Sequence, residues 1–148
     1  GIVGLTEIQH QNGTSAMTVS AGGVVTFVNT PTGAIKTFTS SEITIAASTK
    51  TTLTHNLGAI PFQFDLYLIC KTTQYNYSVG DIIKVTQAYH STAGTSSIGA
   101  MMSADATNIF LTTGPNSAGG MFKGFNKDTG GDVTFSNANF KMIVKAWV

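Results

Sequence analysis

THNLGAIPFQFDLYLICK, residues 54–71, is the stretch on which the reading of the fold turns. Asn56, Gly58 and Pro61 make a turn segment, because each favours or imposes a backbone conformation that ends regular structure. From there the side chains alternate. Phe62, Phe64, Leu66, Leu68 and Cys70 point one way, and Gln63, Asp65, Tyr67 and Lys71 point the other, with Ile69 the one apolar residue in the polar set. A period of two belongs to a strand, and an apolar face opposite a polar one belongs to a strand with one side in a core. This strand is expected to be the spine of an antiparallel domain.

Working outward, short strands are predicted at residues 42–46, 50–55, 81–86, 107–112 and 132–135, then in a closing run at 140–148. In that run Phe140, Met142, Val144, Ala146 and Val148 share a face. Turn material at 91–97 and 114–120 separates the strands, and no window longer than two helical turns holds a 3.6-residue period. The pattern predicts an all-β fold, an antiparallel β-sandwich of lectin-like or jelly-roll-like type, with a barrel as the alternative. The predicted core contains Phe62, Phe64, Leu66, Leu68, Met142 and Val144.

Upstream, Met17 and Val19 precede a turn at Ala21, Gly22 and Gly23, and Val25 and Phe27 follow it. Such a hairpin has too little core to stand alone in water, so it is expected to pack on the main domain or on other copies of itself. With the boundary placed near Phe38, residues 1–38 read as a stem and trimerisation segment and residues 39–148 as the head. The chain starts at Gly1 rather than Met, which reads as the C-terminal piece of something longer or as a processed product.

Composition narrows the function. The 148 residues include 9 Phe, 4 Tyr and 1 Trp, enough to fill one core, but only 10% are charged. The 8 basic residues are all Lys, scattered from Lys36 to Lys145. A nucleic-acid partner is disfavoured, since that needs a clustered basic patch and reads guanine mostly with Arg. No run approaches the roughly 18 apolar residues of a membrane span, so no membrane insertion is expected. Cys70 stands alone and sits on the apolar face, where a buried hydrophobe is the expected role.

Chemistry-bearing clusters are sparse. Of Glu7, Glu42, Asp65, Asp81, Asp105, Asp128 and Asp132, only Asp128 and Asp132 are close in sequence, and they flank Gly130 and Gly131 as turn residues do. His10, His55 and His90 are far apart, and His55, just before a turn, is expected to cap backbone groups. No catalytic residue, metal or cofactor is expected. Aromatic rings beside side-chain amides are the more informative feature, because a ring can stack on the C–H face of a sugar while amides satisfy its hydroxyls. These lie in the predicted loops 73–78, 87–96 and 119–127. Tyr75, Asn76, Tyr77, Tyr89, His90 and Asn126 are the candidate ligand contacts, with Phe122 and Phe125 nearby. The alternative role for these rings is to cover the ends of the sandwich or to pack at a subunit interface.

Three stretches together carry a family resemblance: HNLGAIPFQFDLYLICKTTQYNYSVGDIIKV (55–85), DATNIFLTTG (105–114) and TFSNANFKMIVKAWV (134–148). The His-x-Leu-Gly-x-x-Pro turn, the Cys-Lys-Thr strand end, the Tyr-x-x-Gly-Asp turn, the Asp-Ala-Thr-Asn strand start and the Asn-Ala-Asn-Phe-Lys closing strand resemble a C-terminal domain of bacteriophage tail-fibre-like and other virion surface proteins. NGTSAMTVSAGGVVTFVNTP (12–31) is similar to the short module joining fibre shafts to terminal domains. The resemblance implies a homotrimer at a virion tip, exposed on the virion surface and made in the host cytoplasm. Its other virion proteins would join at the N-terminal end, and a host cell-surface glycan or protein would be its target. His55, Gly58, Pro61, Gly80 and Asp81 match the motifs as turn-setting residues, so the resemblance implies no binding site. A ligand-free head fibre, decoration or collar protein is the second expectation, and a capsule depolymerase the third.

Overall fold

A computed structural model of the chain describes residues 7–9, 15–27, 35–85, 97–115 and 120–148. The described residues contain strands and turns and no helix, and no helix is long and apolar enough to cross a membrane. The chain divides into two compact units, Gly1–Ile35 and Lys36–Val148. Phe38, where the sequence reading set its boundary, lies inside the first strand of the second unit.

The first unit is a three-stranded antiparallel sheet of β1 (Glu7–Gln9), β2 (Ser15–Val19) and β3 (Val25–Phe27) in that order. The hairpin β2–β3 turns at the residues expected. Gly23 has φ +78° and its N–H donates to the Ser20 carbonyl at 2.9 Å, while the Ser20 hydroxyl accepts from the Val24 N–H at 3.1 Å.

The second unit is built on β7 (Gln63–Cys70) and β13 (Phe140–Trp147), paired antiparallel over eight residues from Phe140 opposite Cys70 to Trp147 opposite Gln63. On β7 the alternation holds. Leu66, Leu68 and Cys70 are buried, Phe64 is half-buried, and the opposite face carries Gln63, Asp65 and Tyr67. Beyond β7 lies β8 (Ile82–Lys84), and beyond β13 lie β4 (Thr37–Thr39) and β5 (Ile43–Thr44), both on the same side of β13. Between them the Ser40 N–H donates to the Val144 carbonyl (2.9 Å), and the Ser40 hydroxyl accepts the Val144 N–H (3.0 Å), so the break between two short strands leaves no β13 amide unpaired there.

A second sheet runs β6 (Lys50–Thr54), β10 (Asn108–Thr113), β9 (Ala100–Ala104), and a two-stranded ribbon pairs β11 (Phe122–Phe125) with β12 (Asp132–Phe135). All three sheets contribute to one core. Leu68, Cys70, Met142 and Val144 come from the first, Ile109 and Leu111 from the second, and Phe122 and Phe135 from the ribbon. The result is an antiparallel sandwich.

The structure corrects several sequence expectations. Phe62 is 70% exposed rather than in the core, because it precedes β7 and falls past the last rung of the β7–β13 ladder, Gln63 opposite Trp147. Phe122 and Phe125 are strand residues and not loop residues, and Phe122 is buried. Three strands of the head, β4, β9 and β11, were not anticipated.

His55 behaves as expected. Its Nδ1 accepts the Leu57 N–H at 3.1 Å, which leaves the proton on Nε2 to donate to the Asp105 carbonyl at 3.1 Å. The buried ring thus ties the turn before β7 to the β9–β10 hairpin.

Truncating Leu68, which is fully buried, should destabilise the chain by about 2–5 kcal/mol, whereas Phe62→Ala should shift stability by no more than about 0.5 kcal/mol. Urea denaturation followed by tryptophan fluorescence compares the two. Similar losses from both would place Phe62 in the core after all.

Candidate functional site

Residues 74–77 form a miniature hairpin within the β7–β8 connection. The Gln74 N–H donates to the Tyr77 carbonyl (3.2 Å) and the Tyr77 N–H to the Gln74 carbonyl (3.0 Å), with Tyr75 at φ +54° and Asn76 at φ +65° between them. Two consecutive left-handed residues are the signature of a type I′ turn, normally Asn-Gly. Asn tolerates that region; a tyrosine there is held at a cost of about 1–2 kcal/mol. The surroundings hold it in place. The Tyr75 carbonyl accepts the Lys127 N–H at 3.2 Å, and its ring meets Phe135 edge-on at 6.4 Å.

The second half of the corner is the turn joining β11 to β12. The Asn126 side-chain oxygen accepts the N–H groups of Asp128 (3.0 Å) and Thr129 (3.1 Å), Gly130 adopts φ +69°, and the Asn126 N–H donates to the Gly131 carbonyl (2.8 Å). This same amide oxygen accepts from Asn76 Nδ2 at 3.3 Å. Tyr77 closes the contact, its hydroxyl donating to the Phe125 carbonyl at 3.1 Å and its ring lying 5.7 Å from that of Phe135.

Four of the six sequence-predicted residues, Tyr75, Asn76, Tyr77 and Asn126, are therefore brought to one corner from stretches about 50 residues apart. Their roles differ. The Asn126 side-chain oxygen is committed to its turn and to Asn76, and the Tyr77 hydroxyl to the Phe125 carbonyl. Tyr89 and His90 lie outside the described residues, as does the 87–96 loop.

Beside this corner a cleft of about 390 Å³ opens over the ribbon, lined by Tyr75, Lys123, Gly124, Asp132, Val133 and Thr134. That volume is at the lower end of the roughly 300–1,000 Å³ of small-molecule sites. Sequence reading put Lys123 inside the 119–127 stretch without singling it out, gave Asp132 a turn role and did not name Thr134; all three belong to the ribbon that pairs Lys123 with Thr134 and Phe125 with Asp132. The available signal was the strand predicted at 132–135, on which Asp132 and Thr134 share a face; its partner β11 shows no alternation of its own and carries a glycine. Gly124 is required by packing, because a Cβ there would come within 2.6 Å of the Phe135 ring.

Electrostatics stiffen the same corner. The Lys127 ammonium hydrogen-bonds the Asp81 carboxylate at 2.7 Å, and this contact, followed by the Ser78 N–H, holds Asp81 below the ordinary carboxyl value of 3.8. Asp105 is lowered by the backbone N–H groups of Asn108 and Thr107, which it accepts at the β9–β10 turn. At Asp65 burial opposes ionisation, but hydrogen bonds from Lys84, Gln63 and Tyr67 outweigh it and lower the value. Among the described residues no three His, Cys, Asp or Glu side chains gather to hold a metal ion. Comparison of the chain with protein-family models, with curated proteins and with solved structures finds no match.

Each of these three carboxylates is more acidic folded than unfolded, so its stabilisation is complete above the unfolded value and is lost as pH falls through the lowered folded one. Denaturation midpoints should hold from pH 7 to about 5 and fall below about 4. Asp81→Asn should flatten that acid slope, and an unchanged slope would show that the Lys127 pair does not act as described. Separately, Gly124→Ala should cost about 1–3 kcal/mol by displacing the Phe135 ring, measured by thermal melting. A neutral result would mean that the ring is not packed against β11 as found.

Proposed function

We propose that the chain is the tip domain of a bacteriophage tail fibre or spike that attaches to the host surface, where it binds glycan as a homotrimer without catalysing a reaction. The observation that carries this reading is the Tyr75 ring, supported by the Asn76–Asn126 contact, at the edge of an open cleft lined also by Lys123, Asp132 and Thr134. A ring held in place by the core, beside a cleft that also presents an ammonium, a carboxylate and a hydroxyl, suits stacking on a sugar whose hydroxyls need donors and acceptors. The low charge of the chain favours a neutral polar or weakly charged target over nucleic acid. The motif likeness from His55 to Val148 adds the virion setting, and the sandwich is an architecture shared by lectins and virion surface domains, lectin-like and jelly-roll-like types alike.

Trimerisation rests on the first unit. Three strands of three to five residues, with Val24 in the turn and Val25 in β3 exposed, have too little apolar surface to be stable alone, so partner copies are the natural cover. Three identical heads would also turn a weak single-site affinity into firm attachment through avidity. The N-terminal end would join the other virion proteins.

Removal of the Tyr75 ring should weaken binding by about 0.5–1.5 kcal/mol per site, the range of ring-stacking contacts, and more across three linked copies. The test is host adsorption by the Tyr75→Ala/Asn76→Ala double variant, with light scattering for oligomeric state and a thermal melt for folding. A folded trimer that adsorbs normally would remove the corner from attachment, and a monomer at micromolar concentration would remove the trimer.

A further inference from the structure

Seven of the eight lysines have a partner in the structure. Lys71, Lys84 and Lys127 pair with Glu42, Asp65 and Asp81, at 2.9, 2.9 and 2.7 Å. Lys36 donates to the Leu57 carbonyl and Lys141 to the Thr44 hydroxyl. Lys50 lies 4.8 Å over the Phe110 ring and Lys145 5.5 Å over that of Tyr67. Lys123 alone has no hydrogen bond, ion pair or ring contact among the described residues. Asp132 is in the same condition. In the second unit, Glu42, Asp65 and Asp81 hold lysines, Asp105 caps a turn, and Asp128 acts on Lys127 through charge. Asp132 has no such partner.

These two unpaired opposite charges are on one ribbon and line one cleft. Lys123 is opposite Thr134 and Asp132 is opposite Phe125, so the strand period puts all four side chains on the same face, with Lys123 and Asp132 on a diagonal. A diagonal pair is separated by roughly 7–8 Å at the backbone, close enough for long side chains to meet. The structure leaves them unpaired with each other, and both line the cleft together with Tyr75.

The geometry points to an acidic pyranose, a sugar ring bearing a carboxylate, as the ligand of this cleft. This rests on the saccharide-binding reading above and narrows it. The Lys123 ammonium takes the sugar carboxylate through a charge-assisted hydrogen bond. Asp132, an acceptor at both oxygens, takes two ring hydroxyls, and the Thr134 hydroxyl serves a third as donor or acceptor. Tyr75 supplies the apolar platform, already ordered before the ligand arrives because its carbonyl is bonded to Lys127 and its ring rests on Phe135. A neutral sugar satisfies Asp132 but leaves Lys123 without its anion. An amino sugar can set its ammonium on Asp132 but leaves Lys123 without an anion, so comparison with glucosamine shows which of the two charges governs the cleft.

The test is titration of the full chain, followed by amide chemical shifts, with methyl glucuronide and methyl galacturonide, each compared with its neutral parent glycoside and with glucosamine. The acidic sugars should bind at least about tenfold more tightly than their parents, with shifts centred on Tyr75, Lys123, Asp132 and Thr134 and with affinity falling as salt rises. Lys123→Gln should abolish that preference while leaving the melt unchanged, Lys123→Arg should keep it, and Asp132→Asn should weaken acidic and neutral sugars alike. Equal affinity for acidic and neutral sugars, preference for glucosamine, or an unaltered preference in Lys123→Gln would overturn the assignment. Its failure is distinguishable from failure of the attachment reading. Neutral-sugar binding at Tyr75 together with Tyr75-dependent adsorption would refute the acidic ligand alone, and uronide binding at the cleft without host adsorption would refute attachment alone.

Discussion

The ring of Phe135 is the contact on which the corner around Tyr75 depends. It is buried at the end of β12, packs edge-on against Phe140 at 5.0 Å, and receives the edges of Tyr77 and Tyr75 at 5.7 and 6.4 Å. Its backbone and ring also exclude any side chain at two places. An added Cβ at Gly120 would collide with the Phe135 carbonyl, and one at Gly124 with its ring. Since protein interiors are close-packed, a shift of this one ring passes directly to the ribbon, to the closing strand and to the Tyr75 turn. The corner is therefore an extension of the core to the surface, and its geometry is set by packing more than by the polar contacts visible from outside.

Those polar contacts have a different use. The three ion pairs are at least partly exposed, and pairs of that kind contribute about 0–1 kcal/mol each. They add little to stability, but Lys71 to Glu42 and Lys127 to Asp81 tie connections between strands. Lys127 to Asp81 ties the β11–β12 turn to the turn before β8, and the Asn76 to Asn126 bond ties the same turn to the miniature hairpin. Among the described residues nearly every charged side chain has an ion-pair, hydrogen-bond or ring partner, which is why an unpaired lysine and carboxylate on one ribbon are informative.

The spine strand and the closing strand were legible because alternation over eight residues with β-branched and aromatic side chains has no competing helical reading. Their partners were harder to see. β4 is Thr-Phe-Thr, three residues long, and is a strand only because β13 offers it an edge. β9 is Ala-Met-Met-Ser-Ala, without a β-branched residue, and owes its conformation to pairing with β10. β11 carries Gly124 in its middle, which reads as a loop until the Phe135 ring that requires it is located. At the site, rings and amides in predicted loops pointed to Tyr75, Asn76, Tyr77 and Asn126. Nothing local could show that Asn126 and Asn76 meet. Lys123 and Thr134 were not singled out, and Asp132 was read as a turn residue, because the significance of the two charges lies in having no partner among the described residues, which only the full set of contacts reveals.

Tyr75 and Tyr77 show how one turn divides structural from available groups. Tyr77 is in a bridge pair, donates its hydroxyl to a carbonyl and lies beneath Lys127 at 5.9 Å, so both its polar and its apolar surfaces are occupied. Tyr75, in the left-handed conformation that a tyrosine seldom adopts, has one ring edge on Phe135 and no hydrogen bond from its hydroxyl among the described residues. A glycine or asparagine would form the same turn at lower cost. A ring kept in a strained backbone, anchored on one edge and lining an open cleft, is consistent with strain retained for the position that it gives the side chain, since such outliers collect at binding sites where the surroundings over-determine them. The turn is thereby a support for Tyr75, and the bonds made by Tyr77, Asn76 and Asn126 hold that support in place.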